Sequence, residues 1–191
     1  MSRPFAILVP LADGFEEIEA IVPVDVWRRA GFAVTTAALA ANPVTAARRT
    51  RHLADTALSA AMGREFDLIY LPGGQPGADA LAADVDLLEK LRRHAAGGRW
   101  LAAICAAPLA LRAAGLLRDK QFTCHPSVAA DLTGSAAPSA ARVVVDGKLI
   151  TGRAAGAAFE LALTVVRLVG GAAAAAEVNQ GLLCHPALLT P

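Results

Sequence analysis

Short apolar runs alternate with amphipathic stretches along this chain, and the alternation predicts its elements in order. Phe5–Pro10 is apolar throughout, as a strand covered on both faces should be. Glu16–Ala30 has helical periodicity and stops at Gly31, a favourable residue just beyond a helix end. Phe32–Ala38 is β-rich, and Phe66–Leu71 is a second buried run cut off by Pro72-Gly73-Gly74. Val85–Ala96 reads as an amphipathic helix closed by Gly97-Gly98, Trp100–Ile104 as a strand, and Ala107–Ala114 as a helix stopped by Gly115. Arg142–Thr151 carries Asp146-Gly147 at its centre, the pattern of a tight hairpin. Ala157–Leu168 is a closing helix, and a further helix is expected from Ala172.

Strand, helix, strand, helix at this spacing predicts an α/β fold, with a mostly parallel central sheet and helices on both faces. No internal repeat and no linker rich in Pro, Gly or Ser divides the chain, so residues 1–191 are expected to form one domain. In open sheets of this kind, ligands bind beyond the carboxyl ends of the strands. Three positions follow: after Pro10, after Leu71 and after Ile104.

Composition narrows the function classes. Of 191 residues, 45 are alanine, and 55% are hydrophobic against 18% charged, which excludes a disordered chain. Alanine buries little area, so leucine, valine, isoleucine and the few phenylalanines must supply the core. A formal net charge of +1 gives no electrostatic case for nucleic acid or an anionic membrane. No stretch has the length and apolarity of a membrane span. Arg3 followed by the apolar Pro4–Ala12 has the outline of a signal peptide, but Asp13-Gly14 and three glutamates follow at once without a cleavage site. A buried strand is the reading. Cys105, Cys124 and Cys184 form neither a paired disulfide framework nor a CxxC metal pattern, which favours a reducing, cytoplasmic setting. Neither Cys124-His125 nor Cys184-His185 is by itself a zinc signature.

Cys105 sits directly after a strand and before a helix opening near Pro108, where a nucleophile would stand exposed above the sheet. A helix N-terminus favours an anion, so a lowered thiol pKa is expected there; an ordinary buried cysteine is the alternative. Gly73-Gly74 allows close approach of backbone N–H groups to a ligand, although the same residues also make an ordinary turn. Glu16, Glu17 and Glu19 suit the first turns of a helix. Pro23 adds something specific, since it cannot donate to the carbonyl of Glu19. A Glu19 carboxyl placed against a thiolate would stay protonated and donate to it. His125, in Thr123-Cys124-His125-Pro126, follows a further predicted strand and has the chemistry of a general acid or base. Arg28, Arg29 and Arg48 are candidates for binding a carboxylate or an oxidised sulfur. Phosphate-loop, dinucleotide and HExxH motifs are missing.

Assembled, these residues resemble the ThiJ/PfpI superfamily, and within it the branch of the Parkinsonism-associated protein deglycase and bacterial YajL. The resemblance rests on FEEIEAIVPVDVWRRAGFAVTTA at 15–37, DLIYLPGGQPGA at 67–78 and AAICAAPLAL at 102–111, with TCHP at 123–126, DGKLITGR at 146–153 and FELALTVV at 159–166. It implies a flavodoxin-like three-layer sandwich, a homodimer, and no metal or organic cofactor. It further implies Cys105 as the reactive nucleophile, Glu19 as the protonated glutamate donating to its sulfur, and Gly74 and Ala106 as backbone donors around an oxyanion pocket. His125 would be the nearby histidine, while Arg29 and Arg48 match basic positions near the site and dimer interface. Two departures stand out. Relatives often carry Gly-Pro-Gly-Thr where this chain has Ala154-Ala155-Gly156-Ala157, and Ala106 replaces the histidine that follows the cysteine in the peptidase-like branch.

The function implied is a cysteine-dependent glyoxalase or deglycase, acting on methylglyoxal, glyoxal or early glycation adducts through a Cys105 hemithioacetal. The alternative is an oxidative-stress sensor or chaperone working through oxidation of Cys105 to the sulfinate. A catalytically silent dimer with a buried cysteine is the third reading.

Overall fold

The computed structural model describes residues 3–132 and 137–184; His185 therefore lies outside the described residues. Four parallel strands form the heart of the sheet: β1 (Ala6–Leu11), β2 (Ala33–Ala38, buried in its second half), β6 (Leu68–Leu71) and β7 (Trp100–Ile104). The two-residue strands β3 (Val44–Thr45) and β4 (Arg51–His52) pair as a separate antiparallel ribbon, and β5 (Thr56–Ala57) edges the main sheet. β8 (Val143–Asp146) and β9 (Leu149–Gly152) form the hairpin expected around Asp146-Gly147. The seven-stranded order is β5-β2-β1-β6-β7-β9-β8, parallel except for the β8–β9 pair.

The helices are α1 (Glu17–Arg29), α2 (Leu58–Ala61), α3 (Gly77–Ala83), α4 (Val85–Ala96), α5 (Pro108–Ala113), α6 (Ala158–Gly170) and α7 (Ala172–Leu182). Because the central strands are buried on both faces, each face nucleates its own core. Leu8, Ile69, Leu71 and Leu101 pack with Leu81, Leu87, Leu91 and Leu111 of α3, α4 and α5. Ile7, Val9, Leu68, Tyr70 and Ile104 pack with Trp27 of α1 and Leu161 and Val165 of α6. This is the α/β class that the alternation predicts and the flavodoxin-like arrangement that the resemblance implies.

One expected element does not form. The segment before His125 is no strand: Thr123 makes only an isolated bridge with Ser139. Its backbone N–H is instead satisfied by the buried Thr151 hydroxyl of β9 at 2.9 Å, and its own hydroxyl donates to the Ser139 carbonyl at 2.9 Å. Those two bonds anchor the segment carrying His125 against the sheet edge where β7 and β9 meet.

Candidate active site around Cys105

Three elements end together at the carboxyl edge of the sheet: β6 at the Gly73-Gly74 turn, β7 at Cys105, and β9 at Gly152. Cys105 adopts φ +64°, a left-handed conformation that costs a non-glycine residue on the order of 1–3 kcal/mol. Neighbouring backbone holds it there. The Cys105 N–H donates to the Gly152 carbonyl and the His125 N–H donates to the Cys105 carbonyl, both at 2.9 Å, while the Ala107 N–H closes the turn onto the Ile104 carbonyl at 3.0 Å. The elbow turns the half-buried thiol upward toward α1.

Glu19 meets it from the first turns of α1. This residue is 1% exposed, and one carboxyl oxygen, Oε2, accepts the Gly73 N–H at 3.0 Å. Its backbone carbonyl, which the ring nitrogen of Pro23 cannot reach with a hydrogen, accepts the Tyr70 hydroxyl at 2.5 Å. Tyr70 is packed edge-on against Trp27, with ring centroids 4.9 Å apart, and the Trp27 indole N–H donates to the Ala162 carbonyl of α6 at 3.1 Å. The missing helical donor is thus replaced by a side chain of the central sheet.

Gly73 makes the meeting of carboxyl and thiol sterically possible. A Cβ there would lie 2.5 Å from Glu19 Oε2, 2.7 Å from Cys105 Cβ and 2.8 Å from the Ile104 carbonyl. Gly74 is needed for a second reason. It has φ +86°, and an added Cβ would strike the Glu16 nitrogen at 2.4 Å. The sequence offers both glycines for close backbone approach, and the resemblance singles out Gly74 alone; the clash partners of Gly73, distant in the chain, reveal its role.

The electrostatics of the pair correct one expectation. Burial, against the pull of the bonds from Cys105 and Gly73, raises Glu19 from an ordinary 4.5 to about 7, with Glu16 adding to the rise. Burial, and then the neighbouring Glu19 charge, push Cys105 up to about 12, while the N–H groups of Gly74 and Ala106 pull it down. The elbow therefore does not by itself lower the thiol pKa, because desolvation and a facing carboxylate outweigh two backbone donors. Thiolate and carboxylate do not coexist easily in such a site, so the pair behaves as one titrating unit that carries a single negative charge after its first proton leaves.

A cavity of about 340 Å³ opens over the pair, lined among others by Glu16, Arg48, His125, Ser127, Ala154 and Ala155. The structure thus brings Cys105, Glu19, His125, Gly74, Ala106 and Arg48 together at one cavity. Arg48 is 75% exposed at its mouth and lies 3.6 Å from Glu16. Arg29 is not part of the lining. It occupies the last turn of α1, pairs with Asp25 at 2.8 Å and borders a different hollow with Gly31, Ala174 and Glu177. Ten residues of helix, roughly 15 Å of rise, separate it from Glu19. Arg28 is likewise engaged elsewhere, with Asp55 at 2.8 Å. The Ala154-Ala155 departure falls on the cavity wall. Among the described residues, no group of three His, Cys, Asp or Glu side chains is placed to hold a metal ion.

A doubly covered parallel sheet with a cysteine at a strand-end elbow defines an α/β, flavodoxin-like protein with a candidate nucleophile site. The chain belongs to the DJ-1/PfpI family, whose family model matches residues 6–168. It is 41% identical over 180 residues to the Parkinson disease protein 7 homolog of Danio rerio, covering 92% of this chain and 95% of that one. It is 37% identical over 166 residues to the glutathione-independent glyoxalase DJR-1.2 of Caenorhabditis elegans, covering 86% and 88%. The crystal structure of Drosophila melanogaster DJ-1beta superposes with a TM-score of 0.92 at 38% identity, covering 96% of this chain and all of that one. Against protein DJ-1 homolog B of Arabidopsis thaliana, 39% identical over 182 residues, 94% of this chain matches but spans only 42% of the relative's length. No described helix is long and apolar enough to cross a membrane.

Proposed function

We propose that this chain is a cysteine-dependent, glutathione-independent glyoxalase of the deglycase type, acting on methylglyoxal, glyoxal or early glycation adducts. The observation that carries the reading is the contact between the Cys105 thiol and the buried Glu19 carboxyl. A carboxyl with a pKa near 7 suits proton transfer at neutral pH. The similarity to a relative named as a glutathione-independent glyoxalase supports it.

In the singly charged pair with its remaining proton on Glu19, the Cys105 thiolate attacks the aldehyde carbon, and the carbonyl electron pair moves to oxygen. Glu19 gives that oxygen its proton, which leaves a hemithioacetal and a Glu19 carboxylate. In this reading the N–H groups of Gly74 and Ala106 spread the negative charge that develops. The former aldehyde hydrogen then leaves as a proton, its electron pair forms a carbon–carbon double bond, and the adjacent carbonyl oxygen becomes a hydroxyl. Protonation of that second carbon, with loss of the hydroxyl proton on the first carbon, gives a thioester. Water cleaves the thioester to release the hydroxy acid and the thiol, so one carbon is oxidised and its neighbour reduced without an external oxidant. Glu19 and His125 border the adduct for these transfers.

The working unit in this reading is a homodimer. Ile18 and Ile21 on α1 and Leu53 after β4 are exposed apolar side chains. The two elements are tied together by Glu17, which accepts from the Arg48 N–H and the Thr50 hydroxyl. Such a surface suits a second copy of the chain. Purified protein given methylglyoxal releases lactate, and Cys105→Ser abolishes the release; equal turnover by both proteins would sink the mechanism.

A further inference from the structure

The amino ends of β6 and β7 border a basic hollow of about 330 Å³, walled by the segment after α2, by α4 and by the turn into β7. Six residues of chain, a rise of roughly 20 Å along the strand, separate Arg99 in its lining from Cys105. The lining holds four cations, Arg64, Lys90, Arg93 and Arg99, against one carboxylate, Glu65, which Arg99 engages at 3.0 Å. Burial lowers His94, in the same wall, to about 4, so it adds no charge at neutral pH. Arg93 reaches Glu89 only at 3.9 Å and shares it with Arg92 at 3.5 Å, while Arg64 donates to the neutral Thr35 hydroxyl at 3.2 Å.

Lys90 is the unusual member. It sits on the buried face of α4 beside Leu87 and Leu91 and is 8% exposed. A charge leaves water at a cost there, and an apolar side chain would pack more cheaply. Its ammonium donates to the Met62 and Arg64 carbonyls at 2.8 and 2.9 Å, and among the described residues its third N–H has no acceptor. Phe66 holds two of the cations by its ring, with Arg64 5.1 Å and Lys90 5.5 Å from the centroid. Carbonyls, a hydroxyl and a ring face fix these groups in place and leave their charge uncancelled. Burial, with Arg93 and Arg99 adding to it, lowers the Lys90 pKa, and an anion in the hollow would offset that cost.

We infer that this hollow is an anion-binding site, separate from Cys105, that takes a phosphate dianion, either free or as the head of a small phosphomonoester. The donors come from three pieces of chain and so approach a ligand from several sides. A phosphate presents oxygens in several directions and suits such a set, whereas a carboxylate presents one planar edge that a single guanidinium matches. Lys90 supplies the buried donor, and Arg64 and Arg93 supply charge around it. A nucleic acid would need a long basic track, which a hollow of this size on a chain of net charge +1 does not offer.

Amide spectra of the 15N-labelled full chain, titrated with inorganic phosphate and separately with glycerol 3-phosphate at constant ionic strength in sodium chloride, test the site. The expected result is saturable shifts at the amides of 62–66 and 93–100 with either probe. Equal affinity for the two assigns the site to free phosphate, and tighter binding of glycerol 3-phosphate assigns it to a phosphomonoester. Lys90→Met keeps the reach of the side chain without its charge and should weaken binding by about tenfold or more. Arg93→Gln, at an exposed position, should weaken it by about threefold. If the methionine variant does not fold, Arg64→Gln combined with Arg93→Gln carries the comparison, with an expected loss of about tenfold. No saturable shift at these amides, shifts confined to the cavity at Cys105, or parental affinity in the folded variants overturns the inference.

Discussion

The Tyr70 hydroxyl donates to the Glu19 carbonyl, the one acceptor in α1 that Pro23 deprives of its helical partner. A proline interrupts the helix, and the central sheet supplies the replacement bond through a wholly buried ring. Tyr70→Phe leaves that carbonyl buried and unpaired, so it should lower unfolding stability by about 1–3 kcal/mol in urea titrations. The variant should also loosen Glu19 against the thiol, visible as slower methylglyoxal turnover. Unchanged stability would show that water or a backbone shift satisfies the carbonyl instead.

Gly73→Ala tests the steric gap in which carboxyl and thiol meet. Two of the three clashing atoms belong to the reactive pair and the third to the backbone, so none can swing away freely. Overpacking of this kind costs about 1–3 kcal/mol, and a displacement near 1 Å at a reacting pair costs about a hundredfold in rate. Turnover should therefore collapse while circular dichroism still shows the folded sheet. Gly63, with open space at its Cβ position, is the control: Gly63→Ala should leave turnover intact.

Stability should fall with pH because of Glu19. Its pKa is raised on folding, from 4.5 to about 7, so the folded state holds a proton that the unfolded chain has already lost between those values. The stabilisation is fully present below the unfolded pKa and disappears as pH rises through the folded one, by up to about 3 kcal/mol. Glu19→Gln, which cannot ionise, should not show this decline. Parallel urea curves for parent and variant from pH 4 to 8 check the sign: the difference must move against the parent as pH rises.

Alkylation of Cys105 by iodoacetamide should report the pair and not an isolated thiol. With the first proton of the unit leaving near 7 and Cys105 held to about 12 once Glu19 is charged, the rate should begin to rise near neutrality and rise again only in strong alkali. A single transition near the ordinary thiol value would mean that carboxyl and thiol titrate independently.

Much of this architecture is legible in the chain because buried parallel strands leave continuous apolar runs and glycines end the helices between them. Some unread elements are too short for any period to register: β3, β4 and β5 have two residues each, and α2 has four; α3, seven residues of which four are alanine, shows no leucine-rich stripe to betray it. Cys105 is found by its place after a strand, and Glu19 by the proline four residues later. Arg29, which the resemblance puts near the site and dimer interface, does not line this chain's own cavity, and its place at an interface belongs to the proposed homodimer. The direction of the Cys105 shift is hidden too, since desolvation depends on how α1 closes over β7. Ser127 gives no signal of its place on the cavity wall until the turn after His125 is seen.

The cavity divides its parts between separate pieces of chain. The thiol and carboxyl hang from β7 and α1 and are braced by β6, whereas the wall at Ala154 and Ala155 follows β9 and carries no polar side chain. Reshaping that wall changes what fits without disturbing what reacts. Substrate range in this fold can therefore drift, or be engineered, along a different stretch of sequence from the one that preserves the chemistry.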